Sequence, residues 1–295
     1  MVDLRFLGLS LMAVFLALAI GLMIGSALGG PDKREAAYQR VQEQFDLLRA
    51  ENQRVREEGD LARRRLESRS QALRDLLPRT VEGRLSGTRV AVILCGGGDE
   101  RRYWGDLETT LRTARAEWGP IVRVGDKPGR PSAEARSRFS NLLAPDPPSD
   151  TEDPFEYVAW LVRGMTRGEA PELMESLCRE AGFQARGLDR LPVRRLLLLS
   201  TRPLAERAEL PPSGSFPELV AADTARREGM IVVAAESEEL EPSLVDLLGR
   251  RDITTVDNVD TYSGQMAVVL ALAGQKGRFG SKPGSVRAIP ALASP

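Results

Sequence analysis

Residues Gly8 to Leu28 read GLSLMAVFLALAIGLMIGSAL, twenty-one residues without a charge. As a helix they span about 31 Å, enough to cross the hydrocarbon core of a bilayer. A helix is also the one single-segment structure that satisfies its own backbone within lipid. Charges begin promptly on either side, with Asp3 and Arg5 before the run and Asp32, Lys33 and Arg34 after it. The competing reading is a cleaved signal peptide, because Gly25-Ser26-Ala27 are small residues of the cleavage type. Against it, Leu9–Ile24 is longer than an ordinary signal core, and the basic segment before it is Arg5 alone. A retained single-pass anchor over residues 1–30 is therefore expected. Arg5 and the terminal amine balance Lys33, Arg34 and Arg40, so charge leaves the orientation open.

After Pro31 the spacing changes to threes and fours. Tyr38, Val41, Phe45, Leu48, Asn52, Val55, Gly59, Ala62, Leu66, Arg69, Leu73 and Leu76 fill alternating a and d heptad positions. An amide at an a position, here Asn52, fixes register and favours a dimer. Gly59, Ala62 and Arg69 weaken the seam, and most other positions are charged. A helix from Asp32 to Leu77, about 69 Å long, is too polar to stand without a partner along its seam. A coiled-coil stalk over residues 31–79, pairing two copies through Tyr38–Leu76, is the expected arrangement. The alternative is one long helix folded back on its own globular domain. Pro78 and the polar stretch that follows are expected to end the helix.

From Thr88 onward short apolar runs alternate with helical patterns. Strands are expected at Arg89–Leu94, Ile121–Val124, Arg195–Leu199, Met230–Ala234 and Ile253–Val256. Near-continuous Val, Ile and Leu suit strands buried on both faces of a parallel sheet. Helices are expected at Trp104–Glu117, Ala133–Leu143, Pro154–Arg167, Pro171–Glu180, Pro217–Glu228, Ser243–Leu248 and Ser263–Ala273. The alternation predicts an α/β domain over residues 80–276, an open and mostly parallel sheet flanked by helices. Ala144–Pro154 reads as a loop, and residues 277–295, rich in Gly, Ser and Pro, read as a flexible tail.

Composition narrows the chemistry. The chain has no histidine, which removes the commonest general base and the commonest metal ligand. The 41 basic and 42 acidic side chains balance, so no electrostatic footprint for nucleic acid exists. Cys95 and Cys178 either form one disulfide in an oxidising compartment or stay as two buried small residues. Neither a nucleophile–histidine arrangement nor a distinct carboxylate pair is present, and no enzymatic role is expected.

Three places remain for ligands. Cys95-Gly96-Gly97-Gly98-Asp99 follows the first strand, but Arg101 stands where a dinucleotide fingerprint has its third glycine, which favours a structural turn. Asp257 and Asp260, in Val256-Asp257-Asn258-Val259-Asp260-Thr261, sit at the carboxyl end of a strand, where open α/β sheets bind ligands. The same residues equally suit a turn and a helix cap. Met174 and Cys178 lie one helical turn apart and offer two soft sulfurs of the kind copper(I) accepts. Among Leu173 and Leu177, core packing is the stronger reading.

The segment Leu9–Leu28 followed by a heptad stalk resembles the start of the mycobacterial copper transport protein B (MctB) family. Val256–Gly274, an Asp-rich turn leading into an apolar helix, resembles that family's other distinctive stretch, and Gly277-Arg278-Phe279-Gly280 is similar to its C-terminal Gly-aromatic-Gly ending. The resemblance implies an envelope protein of actinobacterial type associated with copper transport or tolerance. It places the α/β domain outside the cytoplasmic membrane, with an outer-membrane assignment as the alternative. Copper enters only through this resemblance. One apolar helix cannot line a pore alone, and no series of alternating ten-residue strands suggests a membrane barrel. Transport would therefore need an oligomer or an envelope partner protein. An alternative function is a structural or interaction protein of the cell envelope or division machinery, dimerising through its stalk.

Overall fold

A computed structural model describes residues 4–28, 31–96, 101–125, 129, 132–140, 155–201, 216–241, 243, 248–249, 251–283, 285–286 and 288–289. The chain divides into two units, residues 1–69 and 70–295.

The first unit holds helix α1 (Leu4–Leu28) and most of helix α2 (Pro31–Val81). The side chains of α1 are described over residues 11–24, where Met12, Phe15, Leu16, Leu22 and Met23 stand exposed. Among the described residues no helix is long and apolar enough to cross a membrane. On α2 the seam residues Phe45, Leu48, Val55, Leu66 and Leu76 are exposed as well. The rest of its surface is laced with pairs one turn apart, such as Arg54 with Glu58 at 2.9 Å and Gln71 with Asp75 at 3.1 Å. Each such pair adds about 0.2–0.5 kcal/mol.

Pro78 does not end α2, contrary to expectation. Its missing donor is tolerated because the turn around it is anchored by burial: Leu77, Val81 and Leu85 enter the second unit's core. The Thr80 hydroxyl donates to the Leu76 carbonyl at 2.9 Å, and the helix closes at Gly83, whose φ of 69° suits glycine. The last three turns of α2 thus lie within the second unit, which begins at Ser70.

The second unit is an α/β fold. Its strands are β1 (Arg89–Cys95), β2 (Glu117–Val124), β3 (Gln184–Arg186), β4 (Arg195–Ser200), β5 (Ile231–Ala235), β6 (Thr254–Val256) and β7 (Arg278–Phe279). They form one sheet in the order β3-β2-β1-β4-β5-β6-β7. Every pairing is parallel except β2 with β3. The helices are α3 (Arg101–Thr113), α4 (Ala133–Arg138), α5 (Glu156–Arg167), α6 (Pro171–Ala181), α7 (Pro217–Arg227) and α8 (Tyr262–Leu272). Alternate residues of β1 feed two cores. Ala91, Ile93 and Cys95 join α4 to α7 on one face; Val90, Val92 and Leu94 join α3, α8 and the end of α2 on the other. Thr110 of α3 donates to Gln265 of α8 at 2.7 Å within the second core.

Three corrections arise at the edges. The helix expected to run to Glu117 ends at Thr113, because Arg115 turns at φ 59° and Glu117 already pairs with Arg89. Strand β2, expected to begin at Ile121, begins at Glu117 and carries Pro120 within a register shift opposite Ala91, the irregularity that lets a strand hold proline. The presumed flexible tail is partly sheet: Arg278 and Phe279 pair with Thr255 and Val256, and Phe279 is buried. The expected loop Ala144–Pro154 and most of the expected helix Ser243–Leu248 lie outside the described residues, as do Gly97, Gly98 and Asp99.

Candidate functional site

Set aside the two edge strands and the remaining order is that of a doubly wound sheet. The chain steps outward from β1 to β2, then returns to the other side of β1 with β4. The carboxyl ends of β1 and β4 form the topological switch point, where ligands of such sheets bind. Here the described residues are drawn together. Thr201 donates both its amide (2.9 Å) and its hydroxyl (2.8 Å) to the Cys95 carbonyl, and the Gly96 amide donates to Val124. Gly96, the last described residue after β1, has a φ of 106°.

Further along the same edge runs a belt of buried polar side chains. Ser200 ends β4 and donates to Glu218, in the first turn of α7, at 3.2 Å. Glu236 follows β5 and Asp257 follows β6; these three carboxylates are each 1% exposed. A carboxylate out of water needs donors or a cation. Glu236 has Lys282, whose ammonium donates to it at 2.8 Å and to the Ser237 and Leu240 carbonyls. Asp257 accepts from the Ser281 amide at 2.7 Å, from the Lys282 amide at 3.3 Å, and from the Ser285 hydroxyl. Gly280 makes this possible, since a Cβ there would lie 1.9 Å from the Asp257 carboxylate.

The two aspartates singled out from sequence thus have separate tasks. Asp257 binds the segment after β7, and its surroundings are filled by that segment. Asp260 is exposed and accepts from the Glu238 amide at 2.9 Å. Thr261 caps α8, accepting from the Gly264 amide at 3.1 Å. Sequence reasoning did not single out Lys282, Glu236 or Glu218. The glycines flanking Arg278-Phe279 were the available signal.

Met174 and Cys178 do lie on one face of α6, and both are buried in the core shared with α5. Met174 packs onto Gly164, where an added Cβ would meet its sulfur at 2.3 Å. Burial, and then the nearby Glu175 carboxylate, push the Cys178 thiol up to about 12. Copper(I) binding there would have to displace the proton, because the thiolate is the binding form. Cys95 shares that core, but no disulfide joins it to Cys178. Among the described residues no group of three or more Cys, Asp or Glu is placed to hold a metal ion.

A family model described as "Copper transport outer membrane protein, MctB" matches residues 1–290. No curated protein matches the chain.

Proposed function

The chain belongs to the MctB family, and from that premise we propose that it is a membrane-anchored envelope protein whose work is copper efflux or tolerance. The observation that carries this reading is the extent of the match, which takes in the apolar N-terminal helix, the long α2 and the α/β domain together. The exposed apolar side chains of α1 would be costly in water and are at home in lipid, where the helix satisfies its backbone. On this reading α1 spans the cytoplasmic membrane once, α2 pairs with a second copy, and the α/β domain stands on the extracytoplasmic side. Copper is cargo, passed through an oligomer or a partner channel, since one helix encloses no path. The domain serves as a scaffold and has no catalytic part.

The test is deletion with complementation. Cells lacking the chain should retain more copper and grow less well in elevated copper, and the full chain should restore both. Unchanged copper content would overturn the copper role. Alkaline extraction tests the anchor: the intact chain should stay with the membrane pellet, and release of a shortened polypeptide starting near residue 25 would overturn it.

A second reading has its own support in the exposed seam of α2. There the chain is a structural protein of the envelope or division machinery, and the paired stalk presents the α/β domain to a partner. Cross-linking in intact cells separates the two: partner capture that persists without Tyr38–Leu76 counts against the stalk-dependent form.

A further inference from the structure

The β2–β3 end of the sheet carries a groove on the α3 side. Antiparallel pairing sets Ile121 opposite Arg186 and Arg123 opposite Gln184, so these four side chains share one face. Helix α3 borders them with Trp104, Glu108 and Arg112, and the turn after β3 adds Arg190. Two cavities of about 220 and 190 Å³ lie here and share Ile121 and Arg186. Among the described residues, Arg112, Arg123, Arg186 and Arg190 line them together with the carboxylate of Glu108, which is bound to Arg112 at 2.8 Å. The Arg112 guanidinium sits 6.0 Å over the Trp118 ring, which in turn meets the edge of Trp104 at 6.1 Å.

We propose that this groove binds a small organic polyanion, its oxyanions held by Arg186 and Arg190 and its carbon body laid against Trp118 and Ile121. Gathering guanidinium groups at one sheet edge raises the local positive potential in a chain that is otherwise balanced, and an anion relieves it. Guanidinium forks match carboxylate and phosphate oxygens two at a time. The two cavities together have the volume of a small-molecule site. Glu108 adds selectivity, because it repels a ligand whose charge falls beside Arg112 rather than at the β3 end. The inference stands on these residues and is independent of the copper role.

The test uses the full chain in detergent, titrated with citrate and, in parallel arms, with pyrophosphate and inorganic phosphate, and read by tryptophan fluorescence. Trp104 and Trp118 report on the groove, while Trp160, in the opposite core, gives a constant background. A saturable change with citrate, absent with sodium chloride of equal ionic strength, is expected. Arg186 and Arg190 are both exposed, so R186E/R190E should keep the parent melting temperature while losing affinity at least about tenfold, the scale of one charged hydrogen bond. Pyrophosphate binding in place of citrate would overturn the organic body assigned to the ligand. A response matched by sodium chloride, equal affinity for inorganic phosphate, or retained affinity in a folded R186E/R190E chain would each overturn the proposal.

Discussion

Lys282 lies 2.8 Å from Glu236, and the two side chains are 7% and 1% exposed. They belong to opposite ends of the last third of the domain and meet at the carboxyl edge of the sheet. Pairs of this kind stabilise little against an apolar substitute, but each partner is severely affected when the other is removed. Lys282→Met should therefore cost about 3–5 kcal/mol in denaturant unfolding. Adding Glu236→Gln to it should return part of that loss. Equal stability of the single and double variants would show that the charge of Glu236 is met elsewhere.

Gly280 sits at φ 139° with no room for a Cβ beside Asp257. Gly280→Ala should cost of order 1–3 kcal/mol from the backbone alone, and more from the collision. Hydrogen exchange should localise the damage, with the Ser281 and Asp257 amides losing protection while the β1 and β4 amides keep theirs.

The Cys178 thiol is shifted upward from an ordinary value near 9 to about 12. The folded state holds that proton after the unfolded chain has released it, so its contribution is complete below about pH 9 and is lost as pH rises toward 12. Denaturation midpoints measured across that window should fall with pH, and Cys178→Ala should flatten the decline. At pH 8 the native chain should resist alkylation at Cys178 and react only on unfolding.

The buried sulfurs bear on copper as well. Met174→Leu with Cys178→Ala keeps the core apolar and removes both soft ligands, at a cost of about 1–2 kcal/mol. Copper tolerance conferred by this variant should equal that of the parent. A selective loss of tolerance at parental protein levels would make the pair a copper site after all.

The stalk can be tested separately from the domain. Leu48→Glu with Leu66→Glu places charge on the α2 seam at exposed positions, where the folded domain should lose no more than about 0.5 kcal/mol. If the stalk pairs two copies as proposed, light scattering of the detergent-solubilised parent should report a dimer and the variant a monomer.

Strands β1, β4 and β5 were legible because each is an apolar run long enough to be buried on both faces. The turn into α8 was legible too, since Thr261 before an apolar helix is a cap signal. The edge strands were not. Strand β3 has three residues and β7 two, and neither carries an alternation of its own; their pairing is decided by neighbours far along the chain. Pro78 misled because local propensity says stop while burial of Leu77 and Val81 says continue. The acid–lysine belt was hidden for a similar reason, as Lys282 lies among glycines and serines that read as tail. The arginine groove has no contiguous signal at all, being assembled from α3, β2 and the segment after α6.

The order in which the chain is made gives the Lys282 contact another meaning. Glu236 and Asp257 are synthesised well before Lys282 and Ser285, so a product interrupted before residue 281 would lack the ammonium that pairs with Glu236 and the amide and hydroxyl donors to Asp257, while keeping the Ser243 hydroxyl on Glu236. Such a product should open more readily at this edge of the sheet and be cut sooner by proteases than the finished chain.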